Sequence, residues 1–266
     1  MRRDSEKPTA KKQQVVSELF RICSEKDDYV FDNDLVKKVC RDVGFGNPFD
    51  ATKVDDSASL PDGVREADRF IIHLGKGEHA FVKGLGIGYH KFEVIPDGNK
   101  VDWKYRKSVL NEADTSESNI LALAANQRII HDFLYEDIVA APKVYYPRRT
   151  QASFSFTIGD MEYSATRIQM EIDLTFEYLG TVTILEAKNG FPEDFAVYQL
   201  YNPFRYFCEM KDSSELEIAG VDCCYVLRDV IDDVSVVRLY SYTFSDYSDM
   251  GTIGLKKSAE YRLIRR

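Results

Sequence analysis

The chain has 266 residues, 44% of them hydrophobic, and 35 Lys and Arg against 44 Asp and Glu give it a net charge of -9; that is material for one large domain, or a small domain joined to a medium one. The acidic surplus excludes a protein that coats nucleic acid nonspecifically through clustered cations, though not one that recognises a short site. No apolar run is long enough to cross a bilayer, and the N-terminus is basic and polar rather than a secretory leader, so a cytoplasmic chain with no membrane partner is expected. The cysteines, Cys23, Cys40, Cys208, Cys223 and Cys224, are odd in number and form no C-x-x-C pair. That argues against a disulfide framework and a zinc site and for small core residues.

In chain order, "MRRDSEKPTAKK" has almost no apolar content and reads as a mobile basic arm. Val15, Leu19, Ile22 and Cys23 then recur at helical spacing, which starts a first helix near residue 13. Asp32 or Asn33 caps a second helix with Leu35, Val36, Val39, Cys40 and Val43 on its inward face, and Gly44 stands where a left-handed C-terminal cap is wanted. The two suggest a helix-turn-helix, whose Lys37, Lys38 and Arg41 are candidates for DNA phosphate contact. "DRFIIHLGKGEHAFVKG" follows as a β-hairpin, or wing, around Gly75-Lys76-Gly77. A third strand is expected at Tyr89 to Ile95, and "PDGNK" closes a small winged-helix-like unit near residue 100.

Beyond that boundary, Asp114 with Glu117 reads as a capping box. Ile120, Leu123, Ala124, Gln127, Ile130 and Leu134 lie along one stripe, so a single long helix is expected from about 115 to 135. "ASFSFTI", "MEYSATRIQMEIDLTFEY" and "TVTILEAK" are strands separated by Gly159-Asp160 and Leu179-Gly180. "EDFAVYQLYNPFRYFCEMK" is a helix interrupted or restarted at Pro203, and strands come again near 218 to 227 and 234 to 244. Strands before a helix and strands after it imply an α/β class, a mixed sheet with helices on its faces.

The chemistry concentrates in "ILEAKNG", residues 184 to 190. With Leu179-Gly180 as a two-residue loop, Tyr178 pairs with Thr181, and counting outward sets Asp173 opposite Glu186 and Glu171 opposite Lys188. Ile172, Leu174, Phe176, Leu185 and Ala187 fall on the other, apolar face. Directly opposed side chains lie about 4.5–5.5 Å apart, so like charges there are unfavourable unless compensated. A divalent cation would remove that cost, and two carboxylates suit Mg2+, with Lys188 placed to hold water or offset phosphate charge. The plain alternative is a wet sheet face carrying cross-strand ion pairs, which periodicity alone makes about as good a reading.

Asp173, then Glu186-Ala187-Lys188 after a turn, resembles the D...(D/E)-x-K signature of the PD-(D/E)XK nucleases. The helix-turn-helix and hairpin ahead of it resemble the winged-helix-like segment of a group of type II restriction endonucleases. "VFDNDLVKKVCRDVGFGNPFDATKVD" and "FAVYQLYNPFRY" also look like segments of such enzymes, so the likeness covers most of the chain.

The resemblance implies a restriction-endonuclease-like mixed sheet flanked by helices over 101–266, preceded by a winged-helix-like DNA-binding domain over 1–100. It implies Asp173 and Glu186 as Mg2+ ligands with the Ala187 carbonyl as a further one, Lys188 serving the water, Glu171 as an accessory acid, and Gln199 in the helix after the lysine strand. The Pro usual before the first acid is replaced by Ile172, and the Tyr that often follows the Gln by four residues is Pro203. The implied activity is Mg2+-dependent, site-specific cleavage of double-stranded DNA to 5′-phosphate and 3′-hydroxyl ends, with a homodimer left open. Competing readings are a repair or recombination nuclease of the same superfamily, a non-catalytic winged-helix regulator, and a glycosidase using Asp173 and Glu186 as its carboxylate pair.

Other residues are given the plain explanation. His73, His79, His90 and His131 show no ligand spacing, and Tyr201, Phe204, Tyr206 and Phe207 are assigned to core rather than to base stacking. The basic runs at Arg2 to Lys12, Lys104 to Lys107, Arg148 and Arg149, and Lys256 to Arg266 are read as solvated surface.

Overall fold

The computed structural model describes residues 8–106, 108–109, 116–146, 149–213 and 217–266, with the side chains of 8–10 left out. Most of the basic arm, as well as Lys107, Asp114 and Arg148, therefore lies outside the described residues. Helix α1 (Pro8–Lys26) begins five residues earlier than the apolar spacing suggests, with proline in the first turn, where its missing N–H costs nothing. Strand β1 (Val30–Asp32) leads into α2 (Asn33–Val43), where the Asp32 carboxylate accepts from the amides of Asp34 and Leu35, and Gly44 closes the helix at φ 75°. Val36, Val39 and Cys40 are buried, with Leu35 and Val43 partly so. A short helix α3 (Asp62–Glu66) precedes the expected hairpin, β2 (Arg69–Gly75) and β3 (Glu78–Lys83).

The third strand of this unit is β1, not the segment after the hairpin: the sheet order is β1-β3-β2. After a one-turn helix α4 (Leu85–Gly88), strand β4 covers only Tyr89–Lys91, and it pairs far along the chain with β11 (Asp194–Ala196). Tyr89 and Ile95 are both buried, but the strand that begins at Tyr89 is three residues long and its partner lies in the second half of the chain.

The second half is built on a seven-stranded mixed sheet. Its strands, in chain order, are β5 (Lys100–Tyr105), β6 (Lys143–Tyr145), β9 (Leu174–Tyr178), β10 (Thr181–Asn189), β12 (Gly220–Ile231), β13 (Val234–Phe244) and β14 (Ile253–Arg265). Their spatial order is β5-β14-β13-β12-β10-β9-β6, with β10 parallel to β12 and β14 parallel to β5. Strand β14 takes up residues 256–265 of the basic run expected as solvated surface. Strands β7 (Thr150–Ile158) and β8 (Met161–Met170) form a separate two-stranded ribbon.

The expected long helix is two: α5 (Glu117–Asn126), capped by Ser116, and α6 (Ile129–Tyr135). Arg128 breaks the run at φ 63°, and the end of β5 holds the break, since the Trp103 indole donates to the Gln127 carbonyl and the Gln127 amide to that of Arg106. Helix α7 (Tyr198–Asp212) runs through Pro203 without ending. All five cysteines are buried and free.

Both faces of the large sheet are covered. Leu174, Phe176, Leu185, Ala187, Cys224 and Val226 pack against Ile120, Leu123, Ala124 and Ile130 of α5 and α6. Val182, Ile184, Cys223 and Tyr225 face Leu200, Tyr201 and Phe204 of α7, in a core that continues into Val36, Phe70 and Phe81 of the N-terminal unit. The face of β10 expected to be wet is thus a second core face. At about 25 cal/mol per Å2 of apolar surface, a charge on such a strand is tolerated only where the layer above it opens.

The N-terminal hairpin is held against the ribbon by backbone contact. A Cβ on Gly75 would stand 2.0 Å from the Thr166 carbonyl oxygen, and Gly75 has φ +86°. Only glycine lets the two chains meet this closely.

Candidate active site

The hairpin loop sits where the pattern put it, and Tyr178 pairs with Thr181. The ladder then stops at Leu174↔Leu185, so the extrapolated pairs Asp173–Glu186 and Glu171–Lys188 do not form. What read as one strand from 161 to 178 is β8 and β9 with a break at residues 171 to 173, because Ile172 turns into the core beneath α7 instead of the one beneath α5. The break places the acids differently. Asp173 remains at the end of β9, where its carboxylate accepts the Ala187 N–H at 3.2 Å, taking the place of the missing strand neighbour. Glu171 is exposed and swings away from Lys188, into ion pairs with Lys53 (3.5 Å) and Arg149 (3.2 Å).

Glu186 and Lys188 leave the α7 side of β10 at the end of the strand, where the covering layer gives way to a cleft of about 620 Å3 between the sheet and the N-terminal hairpin. Glu186 is only 8% exposed. The Lys188 ammonium lies 2.8 Å from Glu117, 3.4 Å from Glu186 and 3.8 Å from Asp55. Gln199, in the first turn of α7, donates to Asp55 at 3.1 Å and accepts from the Tyr225 hydroxyl at 3.1 Å. Asp55 and Glu117 join the expected residues at this site; one comes from a loop of the N-terminal unit and the other from the first turn of α5. No local pattern marks either, since each reaches Lys188 only through tertiary packing.

Electrostatics single out the two strand acids. Burial first, and the neighbouring Asp173 second, push the Glu186 carboxyl well above the usual range, with Lys188 offsetting only part of this. Asp173 is raised too, mainly by burial, against the Ala187 hydrogen bond that lowers it. Burial acts to lower Lys188, but Glu186, Asp55 and Glu117 outweigh it and raise the lysine, so the ammonium stays charged. Asp55, Glu117 and Glu186 thus crowd around the Lys188 ammonium, whose charge also reaches Asp173.

Among the described residues, no three His, Cys, Asp or Glu side chains form a group able to hold a metal ion. That speaks against a site closed by protein ligands, such as structural zinc. Mg2+ makes a smaller demand, since one or two carboxylates suffice and the rest of its shell stays water or substrate oxygen. Asp173 and Glu186, both raised chiefly by burial and set at the floor of a cleft, fit that demand.

The remaining candidates are scattered. Lys37, Lys38 and Arg41 lie on α2, where Lys37 pairs with Asp34 at 3.1 Å, and the cleft is not lined by any of the three. His73 and His79 are mutually hydrogen-bonded through Nδ1 at 2.9 Å, and His79 Nε2 reaches the Asn33 side chain at 2.9 Å. Burial, with each histidine's charged neighbours a smaller influence, takes them down to about 3 and about 4, so both are neutral and tie the hairpin to the start of α2. Tyr201, Phe204 and Phe207 are buried in the core as expected.

Comparison with known families places most of this architecture in one group. The chain belongs to the family described as "Domain of unknown function (DUF6997)", whose model matches residues 86–262. Residues 13–81 are similar to a second such domain, DUF6996. The junction falls at the end of the hairpin, so β4 and the acids, lysine and glutamine of the cleft floor all lie in the first match, while Asp55 and Lys53 come from the second. No curated protein and no solved structure matches the chain. No helix among the described residues is long and apolar enough to cross a membrane.

Proposed function

We propose that the chain is a Mg2+-dependent, site-specific endonuclease of double-stranded DNA, with a restriction-endonuclease-like unit over 101–266 and a winged-helix-like unit over 1–100 packed on it. The observation that carries this reading is the buried Glu186 with the half-buried Asp173 near it, both carboxyls raised chiefly by burial, beside a charged Lys188 at the floor of an open cleft. A solvated sheet face does not account for it, because Glu186 is buried and Val182 and Ile184, which precede it on that face of β10, are core. A glycosidase fits less well: its acid works as a lone proton donor, whereas here a permanent ammonium sits 3.4 Å from one carboxylate. The order α1-β1-α2-α3-β2-β3 with the sheet β1-β3-β2 supports the winged-helix comparison.

Asp173 and Glu186 would hold the ion, with the Ala187 carbonyl as a further donor, and the ion would supply Lewis acidity toward a phosphate oxygen. Asp173 is oriented for this by the Ala187 N–H, which fixes one of its two oxygens. Lys188, kept protonated by its carboxylate neighbours, holds the attacking water by hydrogen bond and offsets charge that grows on the phosphate. Glu117 and Asp55 position the lysine, and Gln199 locks Asp55 to Tyr225. Glu171 is left out of the chemistry because its carboxylate is engaged with Lys53 and Arg149.

The test is incubation of the purified chain with unmethylated plasmid or phage DNA, with and without Mg2+. Discrete fragments that need the ion and carry ligatable 5′-phosphate ends are expected. DNA left intact with Mg2+ and with Mn2+ would remove the reading, and degradation only from free ends would shift it to a repair nuclease.

A further inference from the structure

The ribbon β7–β8 forms one wall of the same cleft, and its inner side packs through Phe154, Phe156 and Ala165 into the core. Its cleft side carries Gln151, Arg167 and Gln169, with Gln151 and Gln169 directly paired across the ribbon. The ladder is irregular between Ala152 and Phe154: Ala152 pairs with Ile168 and Phe154 with Ala165, so two residues, Thr166 and Arg167, stand opposite Ser153 alone. This is a β-bulge, and Arg167 has φ 51°, a left-handed conformation that costs a non-glycine residue free energy. Ser153 Oγ accepts the Arg167 N–H at 2.9 Å, and Gly75 of the hairpin presses on the neighbouring Thr166 carbonyl, so the strain is held from two sides. The Arg167 side chain donates through Nε to Gln151 at 3.3 Å.

Resting on the endonuclease reading, we propose that Arg167 and Gln151 on this bulged ribbon read base edges in the major groove and set the sequence preference of cleavage. A two-stranded ribbon is one of the two elements the major groove admits. The side chains are of the types that read rather than merely hold: an Arg fork matches guanine O6 and N7, and a Gln amide matches adenine N6 and N7, while an amide neutralises no phosphate. Bulges re-aim side chains next to sites, and a strained bulge braced by Ser153 and by the hairpin fixes where the guanidinium starts. The cations Lys53 and Arg149 contrast with it, since both are held by a carboxylate, Glu171, and suit phosphate contact instead.

The experiment uses the full chain with Mg2+ on a DNA library randomised in sequence, with the cut ends sequenced, for the unaltered protein and for Arg167→Ala, Arg167→Lys and Gln151→Ala. Binding to random-sequence DNA and melting temperature are measured alongside. Arg167→Ala should relax the preference for one base of the site by roughly ten- to a hundredfold while nonspecific affinity changes less than about threefold. Arg167→Lys should fail to restore it, because an ammonium lacks the fork. An unchanged consensus in folded Arg167→Ala and Gln151→Ala chains, or a uniform loss of affinity for all sequences, would overturn the base-reading role while leaving the nuclease standing. An unaltered chain that cuts without sequence preference would overturn it as well, and one that neither binds nor cuts DNA would remove the nuclease reading and this one together.

Discussion

The floor and the rim of the cleft use the same residue types to opposite ends. On the floor, Glu186 is buried and Asp173 half-buried, both are raised chiefly by burial, and Glu186 shares one ammonium with Asp55 and Glu117. At the rim, Glu171, two residues before Asp173, is exposed and paired with two cations, Lys53 and Arg149, with side-chain exposures of 57%, 50% and 72%. Exposed pairs of that kind contribute about 1 kcal/mol at most and rearrange freely. The comparison teaches that position relative to the break at 171–173, not residue identity, separates an acid suited to a cation from one suited to holding arginine and lysine. It also explains why Glu171 and Asp173, two acids of one apparent strand, cannot share one role.

The largest effect that sharpens this contrast is loss of the floor. Asp173→Ala, Glu186→Ala and Lys188→Ala should each lower Mg2+-dependent cleavage by about 10^3-fold or more, several kcal/mol of transition-state stabilisation at 1.36 kcal/mol per decade. They should differ in kind: calorimetry should show weakened Mg2+ binding for either acid variant and retained binding for Lys188→Ala. Glu171→Ala, by contrast, should keep activity within a few-fold. If Glu171→Ala is as damaging as Asp173→Ala, the division between floor and rim is wrong.

A second test uses pH and needs no substrate. Below the ordinary glutamate value of 4.5, folded and unfolded chains both carry the Glu186 proton, and the site costs nothing. Above it the unfolded chain releases a proton that the folded chain retains, so stability falls as pH rises toward the folded value, and Asp173 adds to the trend. Glu186→Gln, which mimics the protonated acid, should match the unaltered chain in melting temperature near pH 4 and exceed it by a few degrees near pH 8 in the absence of divalent ions. Added Mg2+ should raise the unaltered chain and leave Glu186→Gln nearly unmoved. A gap that is constant across this range would mean that the Glu186 carboxyl is not displaced.

These tests draw on what the sequence made legible. Alternation in "TVTILEAK" and the Leu179-Gly180 turn fixed the register at Tyr178 and Thr181, which was enough to set Glu186 and Lys188 on one face and Leu185 and Ala187 on the other. Alternation could not reveal that Ile172 belongs to a different core, because a period of two continues unbroken through a change of sheet. The helical stripe from Ile120 to Leu134 likewise runs through Arg128, whose positive φ splits α5 from α6. Strand β14 hid behind its basic residues, since Lys256 and Lys257 leave toward Asp222 and Glu136 while Ser258, Glu260 and Tyr261 are buried. Asp55 and Glu117 were beyond reach for a different reason: their partner is Lys188, far along the chain, and nothing local announces it.

The smallest effect concerns the cations that approach the cleft against those that do not. Lys53 and Arg149 line it, whereas Lys37, Lys38 and Arg41 sit on α2 outside its lining. If DNA lies in the cleft with its backbone along the rim, phosphates displace Glu171 from Lys53 and Arg149, and each contact releases counterions. Lys53→Ala and Arg149→Ala should then each flatten the dependence of log affinity on log salt by about one. Neutralising Lys37, Lys38 and Arg41 together should weaken binding uniformly across sequences but by less, since these residues would meet only flanking phosphates and Lys37 already carries Asp34. Glu171→Gln, which frees both rim cations without removing either, should tighten binding modestly and steepen the salt slope. The measurement is a salt titration of binding to one duplex in Ca2+, an ion expected to support hydrolysis poorly. A larger change from the α2 variant than from the rim variants would move the DNA off the cleft and onto the face of α2, leaving Glu171 with a structural task only.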